Sequence, residues 1–170
     1  MKIDKYHPMK EYIRNWGLPE CLRDISSELI YKFDSHGILN TYEESYYVDD
    51  RNFKFCLYEP STGLALLSME FFKTPLGYSC SKPFIVLELL YVHQEFWRKK
   101  GIASFYIRKL IQYAIEEKMD HIQVTPMADA DNFKDGSDIN ALTQDELIEF
   151  YMKWHTPEMP FHIIIPEEYE

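Results

Sequence analysis

Cysteine is scarce in this chain of 170 residues: Cys21, Cys56 and Cys80 are odd in number, widely spaced and form no CxxC pair. That disfavours a disulfide framework and suits small buried thiols in a reducing compartment, with the cytoplasm as the default location. Positive charge is also short, since 18 Lys and Arg against 28 Asp and Glu leave a net charge of −10. A sequence-independent grip on nucleic-acid phosphates is therefore disfavoured for the molecule as a whole, and any anion site must be local. Long apolar runs are missing too. The longest, Phe84 to Val92, carries Glu88, whereas a bilayer-spanning helix needs about 20 apolar residues. The start, Met1 to Pro8, has no apolar signal segment, so neither a membrane partner nor export is expected. There is no internal repeat.

The chain nonetheless has what folding requires: 46% hydrophobic and 16% aromatic residues, with 13 Tyr and 11 Phe. Its length predicts a single domain over residues 1–170 with no need of a disulfide or metal staple. From Pro19, the spacing of Cys21, Leu22, Ile25, Leu29, Ile30 and Phe33 predicts an amphipathic helix that ends at Ser35-His36-Gly37. The acidic, aromatic stretch Thr41 to Asp50 reads as a loop or a second short helix. Phe53 to Tyr58 and Leu64 to Phe72 flank the turn former Glu59-Pro60-Ser61-Thr62-Gly63 and should pair antiparallel. The nearly continuous apolar run Phe84 to Val92 belongs at the sheet centre. A helix over Gly101 to Lys118 and a strand over His121 to Val124 complete a crossover with parallel strands. Thr143 with Glu146 forms a capping box for a last helix carrying Leu147, Phe150, Tyr151 and Trp154. Pro157 and Pro160 stop that helix ahead of a terminal strand, Phe161 to Ile165, and the acidic tail Glu167 to Glu170.

The stretch Arg98-Lys99-Lys100-Gly101-Ile102-Ala103 joins the central strand to the best-defined helix. The first backbone NH groups of a helix lack partners within it and lie at the positive end of its dipole. A basic, glycine-bearing loop leading into that end is an anion cradle. Gly101 allows close backbone approach, Ala103 keeps the first turn uncrowded, and the three cations supply local positive charge.

Here the chain resembles the GNAT superfamily of acyl-CoA-dependent N-acyltransferases, whose signature is Gln or Arg, two residues, Gly, one residue, then Gly or Ala. Arg98 to Ala103 carries it. Leu89-Leu90-Tyr91-Val92-His93 looks like the family's fourth strand, and Glu149-Phe150-Tyr151-Met152-Lys153 looks like its Phe-Tyr-x-Lys helix. The order matches over roughly Phe53 to Ile165. The loop from Val92 to Gly101 is one residue longer than usual, Trp154-His155-Thr156 replaces the common Gly-Phe ending, and Asp129 to Asn140 looks like an insertion.

The resemblance implies a mixed, strongly twisted α/β sheet with helices on both faces and a splayed central strand. It further implies an acetyl-CoA site, as acyl donor and without a metal. Its residues would be Leu90, Tyr91 and Val92 on the strand and Arg98, Lys99, Lys100, Gly101, Ile102, Ala103 and Ser104 on the loop and helix. Tyr151 aligns with a tyrosine that family members often use as general acid, although an aromatic at that spacing also suits a core. For the base, Glu88 stands out as an acidic residue in an apolar strand, where burying a carboxylate is expensive, with an ion-paired rim carboxylate as the plain alternative. His93, at the strand end, is the second candidate.

Other constellations are weak. Counting a calcium loop from Asp131 puts Phe133 and Leu142 at ligand positions, and His155 with His162 has nothing to complete a zinc set. Among the cysteines only Cys80, in a polar segment, merits a reactivity test. The expected reaction moves an acetyl group to the primary amine of a small molecule, more plausibly than of a protein. The stretch Tyr42, Glu43, Glu44, Tyr46, Tyr47, Asp49 and Asp50 offers a wall for a cationic acceptor, or simply a solvated surface. The alternatives are a non-catalytic CoA-binding sensor or scaffold, and an acidic interaction protein; a homodimer stays open.

Overall fold

The computed structural model describes residues 7–40, 46–75, 82–128 and 140–167. Tyr42, Glu43, Glu44, Cys80, the aspartates from Asp129 to Asp138 and the tail from Glu168 lie outside them. Seven strands form one mixed sheet: β1 (Ile30–Lys32), β2 (Tyr47–Val48), β3 (Asn52–Glu59), β4 (Leu64–Lys73), β5 (Ile85–Val92), β6 (Ile122–Val124) and β7 (Phe161–Ile163). The order is β1-β3-β4-β5-β6-β7, with β2 also on β3. The hairpin of β3 and β4 is antiparallel as the sequence predicts, and β5 lies inside the sheet, antiparallel to β4 and parallel to β6. β7 extends the parallel half but stops at Ile163, two residues before the predicted end.

Among the described residues three α-helices accompany the sheet: α1 (Pro8–Arg14), α2 (Ile102–Glu116) and α3 (Gln144–Met152). α2 and α3 are where the spacing places them. α1 goes unpredicted because its start is an unusual one: the His7 ring, rather than a Ser, Thr, Asp or Asn, accepts from the Met9 NH at 3.2 Å. Pro8 then fits the first helical position, where no NH is needed.

The helix predicted from Pro19 to Phe33 is corrected. Glu20–Glu28 winds as a 3-10 helix, Leu29 is extended, and Ile30–Lys32 is strand β1, paired with Cys56–Tyr58 of β3. Ser26 and Ser27 are indifferent helix formers, and Ile30 and Tyr31 suit a pleated surface, so sheet pairing overrides the stripe. The acidic stretch is corrected in part: Tyr47–Val48 is a short strand against Phe53 and Lys54, not loop or helix.

α1 and α2 cover the sheet face that carries Phe53, Phe55, Met69, Phe71, Ile85 and Leu87. Trp16, just beyond α1, stacks on Phe71 and meets Phe55 edge-on, while Tyr12 tilts against Tyr113 of α2. Fully buried Tyr106 needs a partner for its hydroxyl. It has Tyr31 Oη at 2.8 Å, which in turn donates to the Gly17 carbonyl at 2.6 Å. On the opposite face Tyr46 and Ile38 cover Cys56, Tyr58 and Ala65, and burial pushes the Cys56 thiol up to about 12. Cys21 is half-buried and also free.

The start of α3 is reciprocal: Thr143 Oγ1 accepts from the Glu146 NH at 3.3 Å, and Glu146 Oε2 accepts from the Thr143 NH at 2.8 Å. Replacing Thr143 by alanine is expected to cost about 1 kcal/mol, read as a lowered midpoint in urea with an unchanged slope; an unchanged midpoint would mean that α3 is held by packing alone. No described helix is long and apolar enough to cross a membrane.

Candidate active site

β5 pairs with β6 only over Ile85 to Leu87. From Glu88 onward the two strands have parted, while β5 stays on β4 as far as Val92, opposite Leu67. The sheet therefore opens into a cleft at the carboxyl ends of its parallel strands, the usual ligand position in α/β sheets. Its volume is about 350 Å³, at the lower end of the range for small-molecule sites.

One wall is Leu90, Tyr91 and Val92. The floor is the turn into α2, with Arg98, Lys99, Gly101, Ile102, Ala103 and Ser104. Facing them are Leu147, Phe150, Tyr151 and Lys153 from α3 and its end. The cleft thus gathers every predicted donor-site residue except Lys100, which is exposed beside it.

The turn works through its backbone. Gly101 caps α2 at φ 92°, in the left-handed region, and no side chain caps the first turn. A Cβ at Gly101 would meet nothing within 4 Å, so the glycine is required by its dihedral and not by crowding. Lys99 also has a positive φ, 59°, the second sharp reversal in three residues. Together they bring the uncapped start of a 15-residue helix to the cleft, where the dipole favours an anion.

Arg98 differs from its neighbours. Whereas Lys99 and Lys100 are exposed, Arg98 is only 7% exposed, and its own NH donates back to Glu95 O at 3.2 Å. Its guanidinium turns toward the end of β5, with Nε donating to Val92 O at 2.9 Å and Nη2 to Tyr91 Oη at 2.9 Å.

Tyr151 lies at the cleft with 5% exposure, and burial pushes its phenol well up, so it stays protonated across the neutral range. Next to it the Lys153 ammonium rests 4.6 Å from the Phe150 ring centre.

Glu88 and His93 do not line the cleft. Glu70 pairs with Leu89 and Phe71 with Leu87, so Glu88 is the extra residue of a β-bulge, exposed on the strand. The crowding of protein around it, and next the charge of Glu70, hold its carboxyl above the usual range. Glu70 itself is held by buried Lys54, Nζ to Oε2 3.5 Å.

His93 Nε2 lies 2.6 Å from Ser68 Oγ, which also bonds the buried Tyr46 hydroxyl. Burial, then the charge of Arg98, lowers the His93 pKa to about 4. The ring is thus neutral in the folded protein at pH 7 and takes up its proton more readily when unfolded. Stability should fall as pH drops from about 6.5 toward about 4, by on the order of 2–3 kcal/mol, and level off below that. His93→Gln should flatten this part of a stability–pH curve; an unchanged slope would mean His93 is already charged when folded.

Of the described residues of the acidic wall, Tyr47 is exposed and the other three are engaged elsewhere. Tyr46 is buried, Asp49 accepts from the Arg51 and Asn52 NH groups, and Asp50 lies 3.1 Å from His7. Among the described residues no group of three or more His, Cys, Asp or Glu side chains could hold a metal. His155 Nδ1 meets the Phe161 NH at 3.1 Å, while His162 stacks on His121 with centroids 3.7 Å apart.

The family model described as the Acetyltransferase (GNAT) family matches residues 28–133. The chain belongs to the GNAT acetyltransferase family. The match takes in β5, the Gly101 turn and α2 of this GNAT protein, and ends before α3.

Two solved structures are similar at low identity. A GNAT family acetyltransferase of Staphylococcus aureus is 17% identical with a TM-score of 0.36, over 45% of this chain and 53% of its own. An aminoglycoside acetyltransferase from an uncultured soil metagenomic sample, in complex with sisomicin, is 15% identical with a TM-score of 0.37, over 67% of this chain and 60% of its own. The chain thus spans between half and three fifths of the length of these proteins. No curated protein matches it.

Several cleft residues were missed from sequence. Leu147 and Phe150 are read from the sequence as residues of the last helix, Phe150 within the Phe-Tyr-x-Lys stretch, and not as cleft lining. Met127 and Ala128 lie three and four residues past the end of β6; the carboxyl end of a parallel strand is the available signal. Trp97 and Leu142 had none.

Proposed function

We propose that this chain is a single acyltransferase domain over residues 1–170, in the cytoplasm, that moves an acetyl group from acetyl-CoA to the primary amine of a cationic small molecule. The observation that carries the proposal is the cleft itself. It has an open edge of β5 on one wall, uncapped amides of α2 at one end and a protonated buried phenol on α3 opposite. A long, thin donor with an anionic head suits that combination better than a compact ligand does.

In this reading the diphosphate of the donor takes the α2 amides, with Lys99 and Lys100 adding charge from the exposed side. The amide-bearing arm runs along the free edge at Leu90 to Val92. The neutral amine attacks the thioester carbonyl, the C–S bond breaks, and the departing thiolate takes a proton from Tyr151. Glu88 is the better base of the two candidates. Its carboxyl is raised toward neutrality, while His93 is lowered to about 4 and tied to Ser68. From its place on the bulge Glu88 would act through water. With Tyr46, Asp49 and Asp50 engaged elsewhere, preference for a cationic acceptor rests on Glu70 and Glu88.

Glu88→Gln is expected to lower kcat/KM at least tenfold and to remove the fall in rate that accompanies protonation as pH drops through the raised pKa. An unaltered pH–rate profile would assign the base elsewhere. The reaction as a whole is tested by offering a panel of amines with acetyl-CoA and following free thiol. CoA binding without turnover would make the chain a sensor or scaffold, and no CoA affinity would leave an acidic interaction protein.

A further inference from the structure

The signature arginine stands where a phosphate ligand would be expected, yet its side chain is bonded to the end of β5. Past Leu87, β5 has lost its neighbour on the β6 side. On the β4 side it remains held, ending with the His93 NH donating to Leu66 O at 2.9 Å. A strand end bonded along one edge only is free to fray. Arg98 meets this end with a single planar group: Nε to Val92 O at 2.9 Å, Nη2 to Tyr91 Oη at 2.9 Å and to His93 O at 3.4 Å. The guanidinium carbon also lies 5.4 Å from the Tyr91 ring centre. Three consecutive residues at the end of β5 and just past it, Tyr91, Val92 and His93, are therefore tied to one side chain that is itself buried.

We propose that Arg98 is a positioning residue that clamps the free end of β5, and that the diphosphate is left to the α2 amides and the two exposed lysines. The inference rests on the acetyl-transfer reading only for its kinetic consequence. A clamp fixes the wall against which the thioester lies, and a site held loosely by its supporting residues loses rate. The planar fork matters, since an ammonium offers a point charge in place of bonds in a fixed geometry. Lysine at this position should not restore function.

The test compares two donors, acetyl-CoA and S-acetylpantetheine, which lacks the diphosphate. Arg98→Gln is expected to lower kcat at least tenfold with both donors by similar factors and to leave KM for acetyl-CoA within about threefold. Arg98→Lys should behave alike, whereas Lys100→Ala should raise KM for acetyl-CoA only. A rise in KM for acetyl-CoA that vanishes with S-acetylpantetheine would overturn the clamp and make Arg98 a phosphate ligand.

Amide hydrogen exchange in the ligand-free protein is the readout independent of turnover. Exchange across Leu89 to His93 should quicken at least tenfold in Arg98→Gln, and by less in Tyr91→Phe, a milder change that serves if the first variant does not fold. Unchanged exchange in a folded variant overturns the clamp. Faster exchange in a protein that acetylates no amine keeps the clamp and removes the acetyl-transfer reading.

Discussion

Gly101→Glu is expected to weaken CoA binding at least a hundredfold while lowering the thermal midpoint by only a few degrees. The two effects separate because they have different sources. A side chain at φ 92° is strained by about 1–3 kcal/mol, but its Cβ enters open space, so no clash with the core is added. The new carboxylate sits at the cap of α2, where it can take the first-turn amides and repel an incoming diphosphate. A hundredfold loss corresponds to about 2.7 kcal/mol, which is within reach of losing several charge-assisted hydrogen bonds. Gly101→Ala carries the strain without the charge and should bind CoA better than the glutamate variant. A calorimetric titration returning full affinity for Gly101→Glu would remove the α2 terminus as the donor site.

Tyr151→Phe is expected to reduce turnover by roughly 10²–10⁴, the usual range for losing a general acid, with CoA affinity within about threefold of the parent. The ring fills the same space, so packing with Phe150 persists. Because the phenol is held protonated by burial, turnover of the parent should show no loss attributable to Tyr151 anywhere near neutral pH. Unchanged turnover in the phenylalanine variant would assign the thiolate's proton to another group, or to water.

Where periodicity and local chemistry agree, the sequence is legible. The β3–β4 hairpin, the strand–helix–strand unit of β5, α2 and β6, and the Thr143–Glu146 cap all follow from patterns that no distant contact contradicts. Ile30 shows the opposite case. Its spacing fits a helical stripe, but its β-branched side chain and the available edge of β3 make it a strand residue, and nothing local announces that edge. The site divides in the same way. Gly101 is readable because its backbone angle is demanded by the turn, and Tyr151 because it shares a helix with Phe150 and Lys153. The inward turn of Arg98 and the Ser68 contact of His93 depend on where β5 ends, which no local pattern states. Glu88 is readable as odd, but its position on a bulge is a matter of register with β4.

A strand with one bare side ordinarily invites a foreign strand to dock on it. From Leu90 to Val92 that side faces the cleft it shares with Phe150 and Tyr151 of α3 rather than open solvent. The placement of α3 that leaves room for a small guest thus also screens the bare edge from neighbouring molecules.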